Sequence, residues 1–571
     1  MSGIEHSSQL PDDGRAVATS PGAGRSLGNF PSSLASLSLW MAAVAAVGVG
    51  VAERAWFVFH RPVNSDEAIV GLMAREILHG HFYAFYWGQV YGGGEPYLVA
   101  FFFAIFGSNP WALETTAMVL SVAAAILTWR IAEHLVADRA VAILSGAAVW
   151  AGTESSVSNS TIELGFRGLT LVCGLVLTLL ALRILDGRAN LITLFGLGLA
   201  AGVGWWSSPE IAYFAIPTVF LLIGAVVKDK RPRRVSIWAI RMFVAALSTA
   251  AGALPWLWNN ATTGLKSLRA KAFVLPPHPL DYEARLHAFF VYSLPILFDL
   301  RRTGSGKWIW APRTSITVLV ILLVLVVGAL VACASRGGRY LALVVGVVAF
   351  PFVLAISPAT WYWRDGRYAG FLVPLLVLAV ASGANGVGPM LFRRRSPAQR
   401  PGTTGRAVFT AATAAVVAFC ALNFLTTNVP RGSYFAGWTD PNAPAERTAS
   451  GLERAGVRDG YADYWVAYEL DFLSGERLLI TTAGHDPDRW QALNKIVLSS
   501  RRTTWLFVRP TRAAQDEFAG TRLIRGPGGL KRSAFVAELA RLGVGYSFFD
   551  AGVVRAVTPR RAVLPNEVGL G

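Results

Sequence analysis

Cysteine is scarce in this chain: three in 571 residues, at Cys173, Cys333 and Cys420. Each falls inside an apolar run and no two share a CxxC spacing, which argues against a disulfide framework or a thiolate metal site. Charge is scarce as well. Only 15% of residues are Asp, Glu, Lys or Arg, while 53% are hydrophobic, a balance that excludes one soluble domain. Acids are the rarer sign, 35 against 52 Lys and Arg, giving a formal net charge of +17. His79 and His81 form an HGH string without a metal-ligand set around it. Internal repeats and long low-complexity tracts are also missing.

What is present is apolar residues bunched into runs. LVILLVLVVGALVACA and LVVGVVAFPFVLAI carry no charge over lengths near that of a bilayer's hydrocarbon core. About eleven such spans are expected, near residues 36–57, 111–131, 140–153, 168–185, 191–206, 211–227, 237–258, 314–333, 340–356, 368–384 and 407–425. The chain then divides into a disordered cytoplasmic tail (1–33), a transmembrane domain (34–425) with a catalytic outer loop (58–110), and a soluble part (426–571). The first run is too long for a signal-peptide core and reads as a retained anchor.

The basic excess lies in short clusters beside these runs, which argues for anionic membrane lipids as partners and against nucleic acid. With the N-terminus in the cytoplasm, the inward connections receive Arg130 and Arg139, Arg183 and Arg188, KDKRPRR (228–234), Arg336 and Arg339, then Arg393, Arg394, Arg395 and Arg400. Every inward connection is basic, and the odd span count puts the C-terminal part outside. Its candidate helices (AERTASGLERAG, DRWQALNKIVLSS, SAFVAELARLG) alternate with strand-like runs (RLLITT, TTWLFVRP, GVVRAVT), so a small extracytoplasmic α/β domain that folds largely on its own is expected. The Ala, Gly and Arg bias points to a GC-rich bacterium and hence to a plasma (inner) membrane. Inside one span, GLGLAAG reads as a close helix–helix contact, since small residues let membrane helices approach.

Four outward segments carry the chemistry. In the first, Ala68, Ile69, Leu72, Met73, Ile77 and Leu78 recur at helical spacing, predicting an amphipathic helix capped by Ser65 and Asp66. PYLVAFFFAIFG follows it, too short to span and suited to the interface. The second segment offers Glu154, Glu163 and Arg167. The third, 259–313, offers Lys266, Arg269, Lys271, His287, Arg301, Arg302 and Lys307. The fourth, PATWYWRDGRYAG, offers Arg364, Asp365, Arg367 and Tyr368. Any one arginine here can be a headgroup anchor, and Asp66 and Glu67 can simply favour a helix N-terminus. Convergence argues for more, because acids and guanidinium groups share one side with Tyr86, Trp87, Tyr91, Trp361, Tyr362 and Trp363.

Such a set suits glycosyl transfer from a polyprenyl phosphate. The phosphate is a good leaving group, arginine can hold it bidentately, and a carboxylate can take the acceptor's proton. No cofactor is required, although a divalent cation would be compatible.

SDEA with its helix, then YGGGEPYLVAFFFAIFG before the second span, resembles the first outer loop of GT-C glycosyltransferases. The branch it is most similar to holds protein O-mannosyltransferases and lipid A aminoarabinose transferases, and GRYAGFLVPLL resembles their late Arg-Tyr segment. The resemblance implies a GT-C-like helical domain and an inverting enzyme. The donor would be a polyprenyl-phosphate hexose or pentose, and the acceptor an extracytoplasmic glycan, lipid or protein. It implies Asp66 as base with Glu67 beside it, and assistance from Glu163, with Glu154 as the alternative. Where aminoarabinose-type relatives place Lys before Pro, this chain has Glu95-Pro96, so phosphate binding falls to Arg367 or the basic third segment. Tyr91, Glu95, Arg167, Arg364 and Tyr368 complete the expected binding set, with no metal ligand. The rival readings are a multi-pass transporter and a non-catalytic cell-envelope assembly protein. A transporter predicts charged residues in mid-span and two related halves, neither of which the sequence displays.

Overall fold

The computed structural model describes residues 34–570 apart from 232–233, 270–279, 358–363, 365, 392–401, 430–432 and 519–525. The expectations for the tail 1–33, Lys271, Trp361, Tyr362, Trp363, Asp365, Arg393, Arg394, Arg395 and Arg400 therefore lie outside the described residues.

Helices dominate. Helix α1 (Leu34–His60) leads into the outer-loop helices α2 (Ser65–Leu78) and α3 (Glu95–Phe106). Then come α4 (Pro110–Leu135), α5 (Arg139–Ala151), the short α6 (Glu154–Asn159), α7 (Arg167–Leu185), α8 (Leu191–Ser207), α9 (Ala212–Lys228) and α10 (Arg234–Gly252). The third outer segment holds α11 (Leu254–Thr262), α12 (Lys266–Arg269), α13 (Tyr282–Ala288) and α14 (Leu294–Leu297). Helices α15 (Pro312–Ala334), α16 (Arg339–Ile356), α17 (Leu372–Leu391) and α18 (Gly402–Thr427) close the bundle. Among the described residues, eight helices are long and apolar enough to cross a membrane, and α5, α8 and α17 are the shorter apolar helices at the remaining expected positions. Helix α15 buries little of itself, exposing Val320, Ile321, Val324, Leu325 and Val331 as a face for lipid.

One expected span is shorter than predicted. It ends at Gly252 rather than near residue 258, because Pro255 starts the separate helix α11. Helices α8 and α10 touch along small residues: a Cβ on Gly198 would lie 2.2 Å from the Ala245 carbonyl oxygen, and one on Gly202 2.1 Å from that of Thr249. The GLGLAAG string is thus a backbone-to-backbone contact. At one end of the bundle Asp186 accepts from Arg339 at 2.6 Å and pairs with His134 at 2.8 Å, joining the connections after α4, α7 and α15 on the same side.

The C-terminal part adds α19 (Ala443–Arg454), β1 (Asp459–Tyr461), α20 (Tyr464–Ser474), β2 (Leu479–Thr481), α21 (Gln491–Ser499), β3 (Thr504–Val508), α22 (Arg512–Glu517), α23 (Arg532–Arg541), β4 (Tyr546–Ala551) and β5 (Val554–Pro559). The sheet order is β2-β1-β3-β5-β4. The first three strands run parallel, and β5 is antiparallel to both β3 and β4. Alternation along β3 puts Leu506 in one core with Val466 and Leu470, and Trp505 and Phe507 in the other with Phe535 and Leu539. Helix α20 was missing from the expected set, as were β1 and β4. Its run YWVAYELDFLS is buried nearly all round and so lacks an amphipathic stripe.

Two expectations about α2 are corrected. Its N-cap is Asn64, not Ser65 or Asp66: Asn64 Oδ1 accepts from Glu67 N at 3.1 Å while Glu67 Oε2 accepts from Asn64 N at 3.2 Å. The helix is also not a surface amphipath, because α3 covers one face and α20 another. Gly71 lets α20 in, since a Cβ there would lie 2.4 Å from the Phe472 ring. Arg75 seals the contact with a 2.9 Å bond to the Phe472 carbonyl and its guanidinium 4.5 Å from that ring. Gly71→Val should overpack this joint and cost about 1–3 kcal/mol. A thermal melt in detergent reads it, and an unchanged midpoint would show that α20 does not press on α2.

Candidate functional site

Glu67 is fully buried and ties three segments together. Besides capping α2, its carboxylate accepts from Glu163 N at 3.3 Å and lies 3.7 Å from Arg61. Arg61 in turn donates to the Thr161 carbonyl at 2.6 Å. Burial raises the Glu67 carboxyl, and Arg61 opposes the rise. Its partners make it the support for its neighbour Asp66.

Asp66 is half-buried and points the other way. Its Oδ1 accepts from the Tyr464 hydroxyl at 2.5 Å, and its backbone carbonyl accepts from Tyr86 at 3.1 Å. Arg489 faces the same spot, its guanidinium 5.9 Å from the Tyr86 ring and 6.0 Å from that of Tyr464. Gly165, with φ +85°, makes room for Tyr86: a Cβ there would sit 2.8 Å from the tyrosine ring.

Glu95 and Glu163 form a buried carboxyl pair. Glu95 Oε1 accepts from Leu169 N at 2.6 Å, at the open N-terminus of α7, and Glu163 Oε1 accepts from Gly165 N at 2.8 Å. That contact explains why an acid stands before Pro96: it supplies an acceptor for an end of α7 that lacks a side-chain cap of its own. Burial pushes both carboxyls above the ordinary range, and the Glu95 charge pushes Glu163 further. The two carboxyls thus disfavour being ionised together.

Both glutamates line a cavity of about 130 Å³ whose walls come from α4, α6, α7 and the start of α17. Arg54, Arg167 and Arg367 line it with serines of α4 and α6, and Leu120, Ala124, Leu171, Phe371 and Val373 supply apolar walls. Arg167 lies 4.6 Å from the Tyr368 ring and 4.5 Å from that of Phe166. Glu210 interacts with both arginines. Tyr91 joins the two regions, interacting with Arg167 and Tyr368 on one side and Arg489 on the other.

The structure thus brings together Glu67, Tyr91, Glu95, Glu163, Arg167, Arg367 and Tyr368, with Asp66 across Tyr86 and Gly165 from the cavity. Arg364 does not join them. It is exposed and stands with Arg301 around Tyr292, at 5.4 and 4.8 Å. Arg301 also stacks on Trp308 at 3.7 Å, so the third segment's best-placed arginine is spent on its own hairpin. Glu154 stays near Arg302 and Asn428. Sequence reasoning missed Tyr464, Arg489 and Glu210. The one available signal was the aromatic density of YADYWVAYEL, which reads equally well as core.

The pair's protonation has a measurable sign. A carboxyl whose folded pKa is raised stabilises the fold fully below its ordinary value, and that contribution is lost as pH rises toward the raised one. Melts of the native chain from mildly acidic to alkaline pH should therefore fall more steeply than those of Glu163→Gln, which has no proton to lose there. The slope should differ by up to about 1.4 kcal/mol per pH unit. Parallel curves would show that the pair does not share a proton.

Residues 94–256 match the family described as dolichyl-phosphate-mannose-protein mannosyltransferase, a stretch running from α3 into α11. No curated protein matches the chain by sequence. Among solved structures, ArnT from Cupriavidus metallidurans in the apo state aligns with a TM-score of 0.57 at 11% identity, covering 91% of this chain and 97% of that one. The same protein bound to undecaprenyl phosphate aligns at 0.56 and 12%, covering 91% and 98%. The resemblance read from the first outer loop is matched by the architecture of 91% of the chain: this is a polytopic membrane protein of the GT-C fold, similar to the protein mannosyltransferases over residues 94–256 and to ArnT.

Proposed function

We propose that the chain is an inverting glycosyltransferase that moves a hexose or pentose from a polyprenyl phosphate to an acceptor hydroxyl on the outer face of a bacterial plasma membrane. The observation that carries this reading is the cavity, where Arg167 and Arg367 line a space between membrane helices together with apolar side chains. Arg167 and Arg367 hold the phosphate, and the chain of the lipid lies along α4, α7 and α17. ArnT, which shares the fold, has been solved bound to undecaprenyl phosphate, which supports a lipid-phosphate donor.

The sugar projects past Tyr91 toward Tyr86 and Asp66. Asp66 takes the proton of the acceptor hydroxyl as that oxygen bonds to the anomeric carbon. The bond from that carbon to the phosphate oxygen breaks, and the electron pair leaves on the lipid phosphate, where the arginines stabilise it. Glu163, fully buried beside Glu95 with its carboxyl pushed upward, assists Asp66 rather than serving as the first base. Glu67 anchors the turn that carries Asp66, and Tyr368 stacks on Arg167.

A panel of polyprenyl-phosphate sugars offered to the purified protein should release free lipid phosphate with one of them. Asp66→Asn should then reduce turnover about 100- to 10,000-fold while the protein stays folded. Arg367→Ala should weaken donor use by about 1.5–3 kcal/mol. Arg336→Ala, at the opposite end of the bundle, should not. Near-normal turnover in Asp66→Asn would remove the base from this loop. We place the N-terminus in the cytoplasm and the C-terminal part outside, so an alkaline phosphatase fused after Gly571 should be active in cells. A silent fusion there, with an active one in the KDKRPRR loop, would invert the topology.

A further inference from the structure

The C-terminal part reaches the site from outside the membrane array. Helix α20 faces two ways: Val466, Ala467 and Leu470 belong to the sheet's core, while Tyr464, Tyr468 and Phe472 belong to the core of α2 and α3. Asp463 caps the helix by accepting from Trp465 N at 3.1 Å, which fixes Tyr464 in its first turn. That tyrosine is buried, and its hydroxyl ends on Asp66 Oδ1. A second segment arrives beside it. Trp490 stacks on Trp87 with centroids 4.7 Å apart and planes 20° apart, and Arg489 N donates to the Tyr468 hydroxyl at 2.8 Å. These two contacts fix the backbone of Arg489, and a Cβ on Gly88 would lie 3.1 Å from its side chain, so the first loop is shaped to receive it. The Arg489 charge interacts with Tyr464, Tyr86 and Asp66 together.

We propose that Tyr464 and Arg489 are positioning residues for Asp66, so that the outer part of the chain completes the site instead of only covering it. A free carboxylate on a half-exposed helix turn rotates about χ1 and χ2. Donation by Tyr464 to Oδ1 fixes one rotamer and leaves Oδ2 to accept a proton. Arg489 supplies a compensating positive charge beside the carboxylate, in a pocket walled by tyrosines. The inference rests on Asp66 being the base, and the test separates the two ideas.

In the full chain, Tyr464→Phe should lower kcat about tenfold or more with little change in the donor KM, because a bond to a charged group is lost. In the Asp66→Asn background the same change should do nothing further, since the residue it positions no longer removes a proton. Arg489→Gln should lower kcat as well, Arg489→Lys should recover part of it, and Arg555→Gln, on the far strand, should leave it intact. Full kcat in Tyr464→Phe, or an equal loss in both backgrounds, would overturn the proposal. If the native protein transfers no sugar from the panel, the enzyme reading falls and the melting midpoints decide the positioning claim. Non-additive shifts for Asp66→Ala and Tyr464→Phe uphold the bond, and additive shifts refute it.

Discussion

Helix α2 has no membrane-spanning run, yet almost all of its first three turns are buried. A short helix in that position is marginal alone and draws its stability from what packs on it. Here the cover comes from α3 on one side and from α20, some 400 residues away in the chain, on the other. Gly71 sets how close α20 can come, and Arg75 fastens it. Because Asp66 and Glu67 sit in the first turn of this helix, the geometry of the whole polar region follows from that packing.

The shortage of acids makes their concentration informative. Glu67, Glu95, Glu163 and Glu210 lie on one side of the bundle with Arg61, Arg167 and Arg367, where burial makes each charge costly unless it is paired. The glutamates divide the labour. Glu67 binds backbone and Arg61, Glu95 closes the end of α7, and Glu163, pushed upward by burial and the Glu95 charge, lies beside Glu95. Asp66 stands apart because its Oδ1 accepts from a tyrosine hydroxyl brought in by the C-terminal part. That difference in partners, more than any difference in position along the sequence, separates a candidate base from its supports.

The bundle below is organised for the same end. The α8–α10 contact relies on glycines whose absent side chains let backbones meet, whereas α4, α7 and α17 leave a cavity between them. Tight packing in one place and a gap in another follow from side-chain size, since bilayer lipid offers helices no hydrophobic reason to prefer each other.

Much of this was legible in the sequence. Uncharged runs long enough to span carry their own evidence, because lipid accepts only segments that satisfy their backbone internally. Among the described residues, eight helices long and apolar enough to span and three shorter ones lie where those runs lie, and the glycine string read correctly as a helix contact. Local chemistry also marked Asp66, Glu67, Glu163, Arg167 and Arg367 as a group. What the sequence could not display was α20, whose burial on all sides erases the periodicity that marks a surface helix. Nor could it separate Arg364 from Arg367, three residues apart, one exposed beside Tyr292 and the other lining the cavity. Spans and charges are decided by each segment's own contact with lipid and water. The placing of Tyr464 and Arg489 against Asp66 was decided by packing between segments 400 residues apart, and only the tertiary structure holds that information.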